Sequence, residues 1–116
     1  MQEVVFLKEE ELNNIRSYLP RVSEIKSISN YFYIFSDTTR LLIIAALTIS
    51  EMCVKDICEL ISVNQTTVSH QLKLLRDVKI VDYRRVGSVI LYRIINPYVN
   101  DVISLGINQI NFFNQK

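Results

Sequence analysis

The side chains best suited to bind a ligand lie on a helix predicted over residues 64–76. Its apolar residues Val68, Leu72 and Leu75 recur at helical spacing and predict a buried stripe. The opposite side carries Thr66, Ser69, His70 and Lys73. Such groups can hydrogen-bond base edges in the major groove of DNA. The polar outer face of any packed helix would look similar, so the flanking segments must decide between the two interpretations.

A second short helix precedes this one. Val54, Ile57 and Ile61 give it an apolar side, and Ser62-Val63-Asn64 follow as a turn. Asn64 is suited to cap the next helix, because its side chain can accept a backbone N–H. Two short helices joined by three residues are typical of a helix-turn-helix, predicted here over residues 54–77.

A β-hairpin is predicted directly after these helices. Residues 81–86 and 89–94 are rich in β-branched and aromatic side chains and are separated by Gly87-Ser88. A hairpin in this position indicates a winged helix whose wing covers residues 80–94, with Arg84 and Arg85 near its tip.

Positive charge is confined to this part of the chain. Residues 65–93 hold six basic and two acidic side chains, a net charge of +4, whereas residues 1–64 hold six basic and nine acidic ones, a net charge of −3. Basic residues on the helix and wing would contact DNA phosphates. A solvated basic face is the alternative.

The remaining elements are predicted to be helical. A short helix from Glu9 to Tyr18 belongs to an N-terminal extension over residues 1–20, and Asp37 caps a central helix that runs from Thr38 to Thr48. Another helix between them has an apolar stripe: Ile25, Ile28, Phe32 and Phe35. We expect a single domain over residues 1–116, mainly α with a β-hairpin wing, that is, a winged helix-turn-helix.

The last helix is predicted over residues 97–113, with Asn96 as its cap and Pro97 at its first position. It is apolar over more of its circumference than a surface helix needs. We expect one face to form the interface of a homodimer: Val99, Ile103, Ile110 and Phe113. Packing on its own domain is the alternative.

Several function classes are disfavoured. No apolar run approaches the roughly 20 residues of a membrane span, and residues 1–11 lack the layout of a signal peptide, so a cytoplasmic protein is expected. The single histidine has no evident catalytic partner in its helix, and glycine-rich phosphate loops are missing from a sequence with two glycines. We therefore expect neither an enzyme nor a bound cofactor.

Four segments, at residues 36–47, 51–60, 65–75 and 85–93, resemble in order and spacing the ArsR/SmtB family. The run Thr67-Val-Ser-His-Gln-Leu-Lys-Leu-Leu75 is the most specific part. The resemblance implies a bacterial winged-helix repressor that binds operator DNA as a homodimer and usually releases it on binding metal or metalloid ions. It implies base contacts from the recognition helix, at Gln65, Thr66, Ser69 and His70. It also implies wing contacts at Arg84 and Arg85.

The metal sites implied by the resemblance are not intact. A Cys-Val-Cys pair is common at the start of the first helix of the motif, but here Cys53 and Val54 are followed by Lys55 in place of the second cysteine, and its ammonium cannot replace a thiolate. Ligands of a second common site fall on residues that do not suit it: Asn96, Tyr98, Gln109 and Phe112. We expect no metal site of the usual kind.

Cys53 is nevertheless a possible sensor thiol, because a helix N-terminus favours the thiolate. A small residue tolerated at a cap, or a metal ligand, are the other interpretations. The sequence as a whole predicts a sequence-specific repressor whose partners are double-stranded operator DNA and a second copy of the chain. Two alternatives remain: a winged-helix module for protein interaction with weak DNA binding, and a repressor that responds to metal through a non-standard site.

Overall fold

A computed structural model describes residues 5–115 of the chain. Within them, six helices and one two-stranded sheet confirm the predicted winged helix-turn-helix. The elements are α1 (Glu9–Tyr18), α2 (Val22–Ile34), α3 (Thr38–Ile49), α4 (Val54–Ile61), α5 (Gln65–Asp77), β1 (Val81–Val86), β2 (Val89–Ile94) and α6 (Val99–Phe113). Among the described residues no single helix has the length and apolarity of a membrane span, although α2 and α3 together would meet both criteria.

The chain divides into two compact units after Tyr33. The first holds α1 and nearly all of α2, and neither of these fully described helices buries a residue. Three glutamates occupy the first turn of α1, where negative charge stabilises a helix. The expectation of one domain over residues 1–116 stays a prediction.

The second unit is built around α3, α4 and α5. Its core consists of apolar residues from each of them and from the segments that follow: Ile43, Ile44, Leu47, Ile57, Val68, Leu72, Leu75, Ile80, Val81 and Val99. Asp37 caps α3 as predicted, since its carboxylate accepts the Arg40 N–H at 2.9 Å. Burial of the predicted stripe of α5 leaves the opposite face of this helix in solvent.

The hairpin packs at the end of this core. Its strands are antiparallel, with Val86 paired to Val89 across a two-residue turn. Gly87 has a φ of +64°, a conformation that glycine adopts at little cost and that tight hairpin turns require. The turn therefore lies where Gly87-Ser88 predicted it.

The start of the last helix differs from the prediction. Its cap is Tyr98 and its first residue is Val99, not Pro97. Asn96 Oδ1 accepts the N–H of Tyr98 at 2.9 Å, which closes a local turn around Pro97. The Asn-Pro pair thus marks the turn before the helix rather than the helix itself.

Candidate DNA-binding surface

The turn between α4 and α5 sets the direction of the exposed helix. Helix α4 ends at Ile61, and the next residue, its C-cap Ser62, is left-handed with φ 57° and ψ 45°. Asn64 then caps α5, because its Oδ1 accepts the N–H of Thr67 at 2.8 Å. The predicted cap is therefore present, and it fixes where α5 begins.

Replacing Asn64 with Ala should lower the free energy of unfolding by about 1 kcal/mol, because the N–H of Thr67 loses its acceptor. Thermal unfolding should show a midpoint a few degrees lower. Asn64→Asp is the matched control, since it keeps an oxygen at the same position and should stay near the wild type. Equal losses in both variants would show that the cap does not stabilise α5.

The polar residues predicted on α5 all lie in solvent: Gln65, Thr66, Ser69, His70 and Lys73. In the described part of the chain none of their side chains is used in a hydrogen bond or ion pair. They start at the first residue of the helix, and Thr66, Ser69, His70 and Lys73 lie on the side away from the buried stripe. The surface that α5 presents is therefore polar, positively charged at Lys73 and free to bind an external partner.

The two arginines predicted near the wing tip, Arg84 and Arg85, differ in their contacts although they are neighbours in sequence. As successive residues of β1, they point to opposite faces of the hairpin. Arg85 is exposed and has no ion pair within residues 5–115. Arg84 binds the carboxylate of Glu51 with two hydrogen bonds, Nε to Oε2 at 2.9 Å and Nη2 to Oε1 at 2.6 Å. Of these two, only Arg85 thus has a guanidinium without a partner in the described chain.

Arg76, which entered the sequence analysis only through the net charge of residues 65–93, joins α5 to the hairpin. The guanidinium of Arg76 lies 4.1 Å from the ring centroid of Tyr83, a cation–π contact, and its Nε is 3.3 Å from Asp82 Oδ1. Tyr83 in turn packs edge-on against Tyr92 with 5.6 Å between ring centroids. This cluster holds the base of the wing against the end of α5.

Arg40 is a buried contact to α5 that the sequence did not reveal. Its Nε donates to Gln71 Oε1 and its Nη1 to the carbonyl of Ile34, both at 3.0 Å. Gln71 follows His70 directly, so Arg40 fixes α5 beside its exposed face. The only sequence signal was an arginine next to an apolar run in the central helix.

The residues predicted for a dimer interface fall into two groups. Val99 is fully buried in the core of its own chain and has no surface to offer a partner, which corrects its assignment. Ile103 is half-buried against the same core. Ile110 and Phe113 are 60% and 74% exposed. Of the four residues, the two with apolar surface exposed within the chain therefore lie in the C-terminal half of α6.

An apolar groove of about 490 Å³ lies between α3 and α6 and includes Ile110 at its edge. Its walls are formed by Phe35, Thr38, Leu41, Leu42, Ala45, Val102, Ile103, Gly106, Ile107 and Ile110. The groove extends the exposed apolar surface of α6 towards α3.

Cys53 occupies the cap position of α4, where it was expected, but its thiol makes no capping hydrogen bond. Both cysteines are half-buried, and both thiols are free. Across residues 5–115, no three side chains of the His, Cys, Asp or Glu type are grouped closely enough to hold a metal ion.

Residues 37–83 match a family model described as bacterial regulatory protein, arsR family. The chain is 34% identical over 107 residues to the cadmium resistance transcriptional regulatory protein CadC of Listeria innocua, across 91% of this chain and 89% of that protein. Its structure is similar to that of the antimony-specific transcriptional repressor AntR, with a TM-score of 0.73 and 29% identity, across 97% and 100% of the two chains. A homodimeric winged helix-turn-helix DNA-binding domain from Mycobacterium bovis is also similar, with a TM-score of 0.67 and 25% identity, across 77% and 82%.

Proposed function

Since this chain belongs to the arsR family of bacterial regulatory proteins, which control transcription by binding DNA, we propose that it represses transcription as a homodimer on a specific double-stranded operator. The observation that carries this proposal is the exposed face of α5. Its polar side chains lie opposite a fully buried stripe and have no partners within the described chain.

In this proposal α5 enters the major groove as the recognition helix of the motif. Ser69 and His70 contact base edges together with Gln65 and Thr66, because hydroxyl, amide and imidazole groups can donate or accept hydrogen bonds there. Lys73 and Arg85 contact phosphates, which position the protein without distinguishing sequences.

The proposed dimer brings two such helices to two half-sites about one helical turn apart. Its support is the exposed apolar surface of α6, where Ile110 and Phe113 lie in solvent within one chain. The similar domain from Mycobacterium bovis is described as homodimeric. Burying these side chains against a second copy would remove apolar surface from water.

Cadmium and antimony appear in the names of two similar proteins, yet the positions implied by the resemblance do not suit such ions here. Two residues after Cys53, the position of the second cysteine is occupied by Lys55, which offers no lone pair as a cation. The oxygen of Asn96 already accepts the N–H of Tyr98. The donor set does not fit, and no step of the proposed function depends on a metal. Cys53 as a sensor thiol stays a prediction.

Arg85→Ala should weaken binding to operator and random duplex DNA alike, because it removes a phosphate contact. In plots of log affinity against log salt concentration, the negative slope should become shallower by about one unit for each wing that contacts DNA. Fluorescence anisotropy at several salt concentrations measures both quantities. Lys26→Ala, which removes an exposed lysine of α2, is the matched control and should leave the slope unchanged.

A wild-type protein that binds no duplex DNA even at low salt would contradict the proposed function. That outcome would favour the alternative, a winged-helix module that binds another protein.

A further inference from the structure

The loop between α3 and α4 is attached to the wing. Met52 and Tyr92 exchange two backbone hydrogen bonds, from Met52 N to Tyr92 O at 3.2 Å and from Tyr92 N to Met52 O at 2.9 Å. The loop therefore pairs with β2 through a single β-bridge. Glu51, which precedes Met52, is thereby held within reach of Arg84 on β1.

The contact between Glu51 and Arg84 uses the geometry with which arginine binds phosphate. The planar guanidinium donates two N–H groups to two oxygens of one anion, and this fork fits carboxylate and phosphate alike. The hydrogen bond from Arg84 lowers the pKa of Glu51, so the carboxylate is charged at neutral pH. Glu51 thus offers Arg84 what a DNA phosphate would offer.

The ion pair is also open to exchange. The side chain of Arg84 is about half exposed and that of Glu51 about one third. Water and salt screen a pair of this kind, so it adds little to the stability of the fold. The neighbouring Arg85 lacks such a partner within the described residues.

We propose that Glu51 competes with the DNA phosphates for Arg84 and so sets how strongly the wing binds DNA. The inference rests on the proposed function, because it requires the wing to approach phosphates. In the free protein Glu51 occupies Arg84. On DNA the guanidinium exchanges the carboxylate for a phosphate, and the retained charge of Glu51 opposes that exchange. Arg85 contributes to affinity without this competition.

The test measures binding of the full-length protein to a random-sequence duplex, since phosphate contacts do not depend on sequence. Glu51→Gln keeps the size of the side chain and removes its charge. Affinity should rise about two- to fivefold for each wing that contacts DNA, the range expected for release of an exposed ion pair. The slope against salt should become steeper, because without the competing carboxylate Arg84 contacts a phosphate in a larger share of the complexes and releases a counterion there.

Two controls separate this competition from a general loss of negative charge. Asp56→Asn removes an exposed carboxylate of α4 that has no ion pair in the described chain, and it should change affinity less. In an Arg84→Ala background, Glu51→Gln should give no more gain than Asp56→Asn.

If Glu51→Gln raises DNA affinity equally with and without Arg84, the proposed competition is wrong. It is also wrong if Glu51→Gln weakens DNA binding, because Glu51 would then be a positioning residue for Arg84. If the wild type binds DNA but Glu51→Gln gives no gain in affinity that depends on Arg84, this inference is wrong and the proposed function stands. Absence of DNA binding in every variant and in the wild type overturns the proposed function and the inference with it.

Discussion

Ile110→Glu is expected to convert the protein into monomers while leaving each chain folded. Ile110 is mostly exposed within one chain, so a glutamate there meets solvent and costs the fold little. In the proposed dimer the same residue would bury an unpaired charge, which costs several kcal/mol. Sedimentation equilibrium should show loss of the dimer at concentrations where the wild type is dimeric, and thermal unfolding should still be cooperative.

DNA affinity should fall together with the dimer, because two recognition helices on separate chains no longer bind two half-sites at once. Asn108→Glu is the matched control: it adds the same charge to α6 two residues away, nearly on the opposite side of the helix. A dimeric Ile110→Glu variant, or equal dissociation by Asn108→Glu, would place the interface elsewhere.

Ile110 is a better site than Val99 or Ile103 for a substitution that tests the proposed dimer. The sequence alone could not distinguish these three residues. All three share one helical face and are apolar, and periodicity identifies the face without identifying what covers it. In the structure the N-terminal half of this face packs on the core of its own chain, whereas the C-terminal half lies in solvent. The two halves of one apolar stripe therefore have different surroundings within the chain.

The parts of the fold with local signals were predicted closely. Asn64 caps α5, Gly87-Ser88 close the hairpin, and both strands have the predicted bounds. Each of these features depends on a few neighbouring residues whose backbone preferences agree. The exception is Asn96-Pro97, where the same pair of residues can also form a turn before a helix.

The contacts that distinguish the charged residues of the candidate site could not be predicted in the same way. Arg84 and Glu51 are 33 residues apart in sequence, and Arg40 and Gln71 are 31 apart. Sequence patterns show which side of a helix or strand a residue occupies, but not which distant side chain it meets. The sequence therefore predicted a basic wing and a polar helix, and only the structure separates Arg84, which is paired, from Arg85, which is not.

The exposed face of α5 is the centre of the proposed function, and Ser69 and His70 are its proposed base contacts. Each good base contact contributes about 1–3 kcal/mol of discrimination between sequences. Both residues lie in solvent, so replacing them with alanine should leave the buried stripe and the fold intact. The double variant should thus lose specificity before it loses general affinity for DNA.

The most direct measurement compares the wild type with the Ser69→Ala, His70→Ala double variant on two duplexes. One is an operator selected from randomised DNA by the wild-type protein, and the other is a random sequence of equal length. The ratio of the two affinities should fall by at least about tenfold in the double variant, as expected for the loss of one or two base contacts. Binding to the random duplex should change little. A double variant that keeps the wild-type ratio would contradict the assignment of α5 as the base-contacting helix.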